Sequence, residues 1–231
     1  MMNVDFLDVL YEDNHIIAIN KKSGDIVQGD KTGDKPLSDY VKDYIKVKNN
    51  KPGEVFLGTV HRIDRPVSGI VLFAKTSKAL ARLNEMFQKK EITKTYWAVV
   101  KNKPPQKEGK LEHFLLKDEA RNKSKAHVNQ VKNSLPSTLE YSVIASSDKY
   151  FLLEINPHTG RHHQIRAQLS AISCPIKGDV KYGAERQNND ASIHLHARKV
   201  SFIHPVKKEN ITIVAAPPKD NLWLALLKLV S

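Results

Sequence analysis

The stretch His61-Arg62-Ile63-Asp64-Arg65-Pro66-Val67-Ser68-Gly69, HRIDRPVSG, lies between β-prone residues 56–60 and the apolar run 70–74. It sets one carboxylate among two arginines and a histidine, in a segment whose Pro66, Ser68 and Gly69 mark a turn. An exposed Asp–Arg pair contributes only roughly 0–1 kcal/mol, so in isolation the stretch reads as an ordinary turn. Its meaning depends on the chain around it.

Upstream, residues 9–11 and 15–20 are short β-prone runs around Glu12-Asp13-Asn14, a hairpin pattern. A loop over 21–35 follows. Leu37, Tyr40, Val41, Tyr44 and Ile45 then recur at helical spacing, before a polar break at 46–53. Downstream, 70–74 predicts a strand and Thr76-Ser77 a helix start, with Leu80, Leu83 and Phe87 on one face. Residues 92–100 predict a strand with Tyr96 on one face and Trp97 and Val99 on the other. Further β-prone runs fall at 111–116, 139–145, 150–155, 193–202 and 211–215, and Asp220 is placed to cap a terminal helix. Many strands with few helices between them predict an α+β fold with a mixed, mainly antiparallel sheet and flanking helices. Neither repeat nor clean linker is visible. The polar segments 102–110 and 117–125 read as excursions on a single catalytic domain over 1–231.

The chain has 231 residues, 40% of them hydrophobic, enough for a sizeable core. Lys and Arg number 37 against 25 Asp and Glu, a formal net charge of +12, which favours an anionic partner, most simply RNA or DNA. Cys174 is the only cysteine, so no intrachain disulfide forms and the content fits a reducing compartment. The amino terminus, MMNVDFLDVLYEDN, lacks a basic segment followed by an apolar core, and no stretch approaches the roughly 20 apolar residues of a membrane span. A cytoplasmic protein with no membrane partner is expected.

The second informative block is NPHTGRHHQIR, residues 156–166. A helix beginning near His162 buries Ile165, Leu169 and Ile172 and sets His162 and Arg166 one turn apart. His158, His162 and His163, with His194 and His196, raise the alternative of a zinc site. Arg161 and Arg166 inside the cluster repel a cation, and no HExxH glutamate accompanies the histidines, so no metal is expected. Ser68 lacks the GxSxG setting of a nucleophile elbow, and neither a nucleotide phosphate loop nor a GxGxxG turn is present.

Taken together and in order, HRIDRPVSGIVLFAK, KTYWAVV, NPHTGRHHQIRAQL, PIKGDVKYG and LHARKVSFIHP resemble the RluA-like family of RNA pseudouridine synthases, and the opening VLYEDNHIIAINKKSG fits as well. The resemblance runs from about residue 9 to 217. It implies the pseudouridine synthase fold with a central basic cleft, and metal-free, cofactor-free isomerisation of selected uridines in ribosomal or transfer RNA. It assigns Asp64 as the catalytic acid, Tyr96 as the tyrosine that packs on the target base and assists proton removal, and Arg166 as the partner of the catalytic carboxylate. His61, Arg62, Arg65, Arg161, His163, Gln164 and Ile165 are expected at the RNA, with Arg62 filling the space the base vacates. Val67 stands where the family often has threonine, Lys22 replaces the proline of a KPxG turn, and His162 takes a place where Thr or Lys is common. A monomer without a separate amino-terminal RNA-binding module is expected. A noncatalytic RNA-binding protein on the same fold is the alternative.

The chemistry explains the residue types. Uridine must lose its N1–C1′ bond, rotate, and rejoin through C5 with loss of the C5 proton. A carboxylate serves either by adding to the base or by assisting cleavage through the sugar, and the sequence leaves both routes open. Either needs the charged form, which a neighbouring arginine favours. Unstacking the base costs a few kcal/mol, and an aromatic side chain offsets about 1–3 kcal/mol of it.

Overall fold

The computed structural model describes residues 7–30 and 32–230. Residues 1–6, 31 and 231 lie outside it, and with them part of the amino-terminal reading and one position of the 21–35 loop. The chain divides into two compact units, one of the described residues up to Thr93 with Ala197–Pro217, the other of Lys94–His196 with the residues from Pro218 onward.

In the first unit, β1 (Val9–Glu12) and β2 (Ile16–Lys21) form the expected hairpin, its turn held by Asp13 Oδ1, which accepts from His15 N and Ile16 N at 2.8 and 2.9 Å. Strand β2 pairs antiparallel with β4 (Ser68–Ala74), in a register that sets Lys21 opposite Gly69. Alternate side chains go to opposite faces. Ile17, Ile19, Val71 and Phe73 pack with Val41 and Ile45 of α1 (Leu37–Lys48), while Ile16, Ala18, Ile70 and Leu72 pack with Ala79 and Leu83 of α2 (Ser77–Gln88). A strand covered on both faces has no polar side, which is why 70–74 is continuously apolar. Thr76 caps α2 by accepting from Ala79 N. Helix α1 runs on to Lys48, past the expected break at 46, because Lys46 and Lys48 suit the negative end of the helix dipole. The expected strand at 56–60 shrinks to β3 (Gly58–Thr59), and Phe56 is exposed.

In the second unit the strand order is β5 (Thr93–Val100), β9 (Phe151–Pro157), β8 (Leu135–Ser146), β6 (Glu108–Asp118), β7 (Lys123–His127), with every one of these pairs antiparallel. The alternation read in β5 holds: Trp97 and Val99 pack with Leu152 of β9 and with Trp223 and Leu226 of α4 (Asn221–Leu227). Asp220 Oδ1 caps that helix by accepting from Leu222 N and Trp223 N. Two readings are corrected. The segments expected as excursions contribute to the β6–β7 hairpin, whose polar KSK alternation gives no strand signal because β7 ends the sheet order and its lysines guard the edge. Helix α3 (Gln164–Ala171) starts two residues after His162, because His163 has a left-handed φ of 53° that the helix interior does not admit.

The remaining strands, β10 (Leu195–Ile203) and β11 (Asn210–Val214), pair antiparallel, and within the first unit β10 neighbours β4. Among the described residues no helix is long and apolar enough to cross a membrane. Cys174 is buried as a small apolar residue, and burial raises its thiol pKa.

Gly69 has a φ of +112°, and a Cβ there would meet the Ala197 oxygen at 2.4 Å and nitrogen at 2.6 Å. Gly69→Ala combines a left-handed backbone with a backbone clash, so it should destabilise the protein by about 2–5 kcal/mol. A denaturant midpoint unchanged from wild type would contradict this.

Candidate active site

Asp64 lies half-buried in the loop between β3 and β4, and its carbonyl accepts from Val67 N at 3.0 Å to close a turn. The clamp on that loop comes from Lys21, at the end of β2 and only 1% exposed. Its ammonium donates to the carbonyls of Lys22 (2.8 Å), Asp25 (2.8 Å) and Arg65 (3.1 Å). The Arg65 carbonyl also accepts from Gly24 N at 2.8 Å, so the residue after Asp64 is held from two directions. Burial lowers the Lys21 pKa to about 8, against the nearby carboxylates of Asp25 and Asp64, which favour its charge. Desolvation wins, by on the order of 3 kcal/mol. The lysine at position 22 leaves the clamp intact, because a main-chain oxygen makes the contact and the Lys22 side chain is exposed. Val67, 3% exposed, serves the loop as an apolar plug.

The arginines that flank Asp64 in sequence are exposed, and Arg65 reaches Asp34 at 2.6 Å, a pair half open to solvent and worth little on its own. His61 turns inward. Its Nε2 accepts from Leu72 N at 3.0 Å and its ring stacks on Phe87 at 5.1 Å. That nitrogen serves β4, and the imidazole fixes where the loop leaves the sheet.

In the second unit, Tyr96 is half-buried on β5, in register with Ile155 of β9. Lys94, two residues earlier on the same face, is depressed in pKa by burial, and its Nζ lies 3.9 Å from where a Gly160 Cβ would be. The turn before α3 is stitched by Gln164, 5% exposed, whose Oε1 accepts from Thr159 Oγ1 (2.7 Å) and Arg161 N (3.0 Å) while its Nε2 donates to the Thr138 oxygen (3.0 Å). Ile165 is 7% exposed. Gln164 and Ile165, expected at the RNA, therefore have interior positions that shape the loop. Arg161 is exposed, with Nε donating to the Pro136 oxygen at 3.2 Å. His163 Nδ1 meets the Tyr182 hydroxyl at 2.9 Å, and its ring stacks on His162 at 3.8 Å.

Arg166 is held by a residue that the sequence reading passed over. Its Nε and Nη2 donate to the two oxygens of Asp179, at 2.7 and 2.8 Å, and both side chains are buried. Its guanidinium also lies 5.0 Å over the Tyr182 ring. Asp179 and Tyr182 bracket a 3₁₀ turn, Val180–Tyr182, within the PIKGDVKYG segment. The i, i+3 spacing of Asp179 and Tyr182 was the available signal, since one turn brings both to the same side. Lys21 had no signal beyond its place in the KKSG turn.

The histidines considered as zinc ligands have other partners. His158 Nε2 lies 3.3 Å from Glu140, His162 contacts Ser124 and Asn122, and His194 is stacked on Trp223 beside Asp220. Among the described residues no group of three His, Cys, Asp or Glu side chains is arranged to hold a metal.

The family model described as RNA pseudouridylate synthase matches residues 15–171, a span that includes Asp64, Tyr96 and Arg166. The chain is 31% identical over 240 residues to "tRNA pseudouridine synthase C" of Pasteurella multocida, covering 96% of both proteins. It is 33% identical over 230 residues to "Ribosomal large subunit pseudouridine synthase C" of Buchnera aphidicola subsp. Baizongia pistaciae, covering 95% of this chain and 69% of that one. It spans 60% of the tRNA pseudouridine synthase C of Pectobacterium carotovorum. Among solved structures, "Human RNA Pseudouridylate Synthase Domain Containing 4" superposes with a TM-score of 0.79 at 25% identity, over 96% of this chain and 93% of that one. The sheet and the four α-helices of the described residues match the α+β pseudouridine synthase fold. By sequence and by architecture, the chain belongs to the RluA-like RNA pseudouridylate synthase family and is an RNA pseudouridine synthase.

Proposed function

We propose that the protein isomerises particular uridines of transfer or ribosomal RNA, with Asp64 as the catalytic carboxylate. The observation that carries this reading is the buried Lys21 clamp, which holds the backbone beside Asp64 while the Asp64 carboxylate stays only half-buried. A side chain kept partly open on a rigid main chain suits direct contact with a substrate. Tyr96 packs on the extruded base, and its hydroxyl assists removal of the C5 proton. Arg166, its guanidinium oriented by Asp179, is the third residue assigned to the reaction. Arg62, Arg65 and Arg161, all exposed, meet the RNA. Isomerisation involves no net redox change and no second substrate, so these groups suffice without a cofactor or metal. The reading is of a cytoplasmic monomer, with relatives named for both RNA classes supplying the candidate substrates.

Tritium release from C5-tritiated transfer and ribosomal RNA should be seen with wild type and fall at least about 10⁴-fold with Asp64→Ala, a loss of more than about 5 kcal/mol in barrier reduction. Normal release by Asp64→Ala would assign the reaction to another group, and no release by either protein with RNA binding intact would favour the noncatalytic RNA-binding role. Tyr96→Phe keeps the ring and loses the hydroxyl, so RNA affinity should hold while single-turnover rates drop about 10²-fold. Equal rates would remove the hydroxyl from the mechanism.

Lys21 gives a pH dependence. Above about pH 8 its ammonium becomes an amine, whose two N–H groups face three carbonyl oxygens, and the Asp64 loop loosens. Turnover should therefore fall between about pH 8 and 9.5. Because burial depresses this pKa below its unfolded value, the cost of charged Lys21 is present in full below about pH 8 and is relieved as pH rises toward 10.5. Its own contribution to stability thus improves where turnover falls, and a flat rate profile over that window would show that the charge does not hold the loop.

A further inference from the structure

The second unit holds a cavity of about 310 Å³ between the β6–β7 hairpin and α3, lined by none of the residues assigned to the reaction or to RNA contact above. Arg121, Lys123 and Lys125 line it from the hairpin, and Ala167, Ser170 and Ala171 line it from the helix. Its one lining carboxylate, Asp118, accepts from Arg121 N at 3.0 Å and lies 3.8 Å from Arg121 Nε, so cations outnumber anions at the rim. Arg121 is 83% exposed and Lys125 is exposed, whereas Lys123 lies 5.0 Å over the Tyr182 ring.

The hairpin tip is tied down. Ser124 N donates to the Tyr182 hydroxyl at 2.8 Å, Ser124 Oγ donates to the His162 oxygen at 2.7 Å, and His162 Nε2 meets Asn122 Oδ1 at 3.0 Å. Lys181 Nζ adds a bond to the Asn122 oxygen at 3.2 Å. These bonds fix a hairpin that has a polar sequence and no apolar face of its own at this end. A cationic pocket with its walls already in place loses little freedom when an anion enters. Tyr182 is 3% exposed, too buried to stack on a base, so the pocket suits a phosphate rather than a nucleobase.

We propose that this cavity seats one phosphodiester of the RNA substrate, gripped by Arg121, Lys123 and Lys125, at a point separate from the uridine that reacts. The inference rests on RNA being the substrate. The same Tyr182 ring carries Lys123 and Arg166, so a phosphate at the cavity docks against the wall that supports the arginine assigned to the reaction. The site sets affinity and register on the RNA and carries no base specificity.

Three variants test this by the salt dependence of affinity for unmodified transfer RNA and large-subunit ribosomal RNA transcripts. Arg121→Gln with Lys125→Gln removes two of the three cations on the one phosphodiester and should make the slope of log K against log salt shallower by up to about 0.7–0.9. Lys103→Gln with Lys149→Gln removes the same charge from exposed positions of the same unit outside the cavity and should change the slope far less. Ala171→Trp fills the cavity from an exposed helix-end position without removing charge, and should lower affinity and flatten the slope by the same displacement of a phosphate. A wild-type slope in Ala171→Trp, or equal losses in the two double variants, would overturn the cavity site and leave general surface charge as the source of binding. Binding is read without turnover, so a wild type that fails to release tritium sinks the proposed activity and leaves this comparison standing.

Discussion

One buried ammonium organises the Asp64 loop. Lys21 loses its water, at a cost large enough to bring its pKa to about 8, and regains three hydrogen bonds to main-chain oxygens, two in its own turn and one, that of Arg65, in the Asp64 loop. Charged hydrogen bonds of this kind contribute about 1.5–3 kcal/mol each, comparable in sum to the several kcal/mol needed to desolvate an ion. The balance yields little net stability. What it yields is position, since the carbonyls of Lys22, Asp25 and Arg65 converge on one point and the residue after Asp64 is thereby pinned to the end of β2. Gly69 serves the same end from the other side of the loop, where its missing Cβ lets Ala197 approach.

The second unit uses a charge in a similar way. Arg166 is brought out of water and held by both oxygens of Asp179, a bidentate geometry that fixes the plane of the guanidinium as well as its place. Tyr182 lies under that guanidinium and reaches with its hydroxyl to Ser124 and His163, so one turn of chain braces the arginine, the start of α3 and the basic hairpin. The polar groups at the α3 turn follow the same division of labour. Gln164 is spent on backbone, and Arg161 is left at the surface. In both units buried polar residues supply shape, and residues still open to solvent are left to meet a substrate.

The histidines show how little a residue type says without its partners. As letters they allowed a zinc site or RNA contacts. Folded, His61 accepts a backbone N–H, His163 bends the chain into α3, and His162 fastens the hairpin tip.

Apart from β7, the sequence alone determined the order of strands and helices, because alternation and helical spacing are local and the two-faced burial of 70–74 leaves an unbroken apolar run. It also marked Asp64, Tyr96 and Arg166, which stand inside ordered blocks resembling one family. Tertiary structure decided what lies behind those residues. Lys21 is an ordinary lysine until its own turn and the distant Arg65 carbonyl close around it, and Asp179 and Tyr182 gain their roles only when α3 packs beside them. Strand β7 belongs to the same class, since its lysine-rich sequence has no apolar face to read and is ordered by Tyr182 and His162. The physical reason is common to all three. Periodicity records which face of an element meets the core, whereas a hydrogen bond between residues far apart in sequence leaves no period, and the cost of desolvating a charge depends on a burial that exists only once the chain has folded.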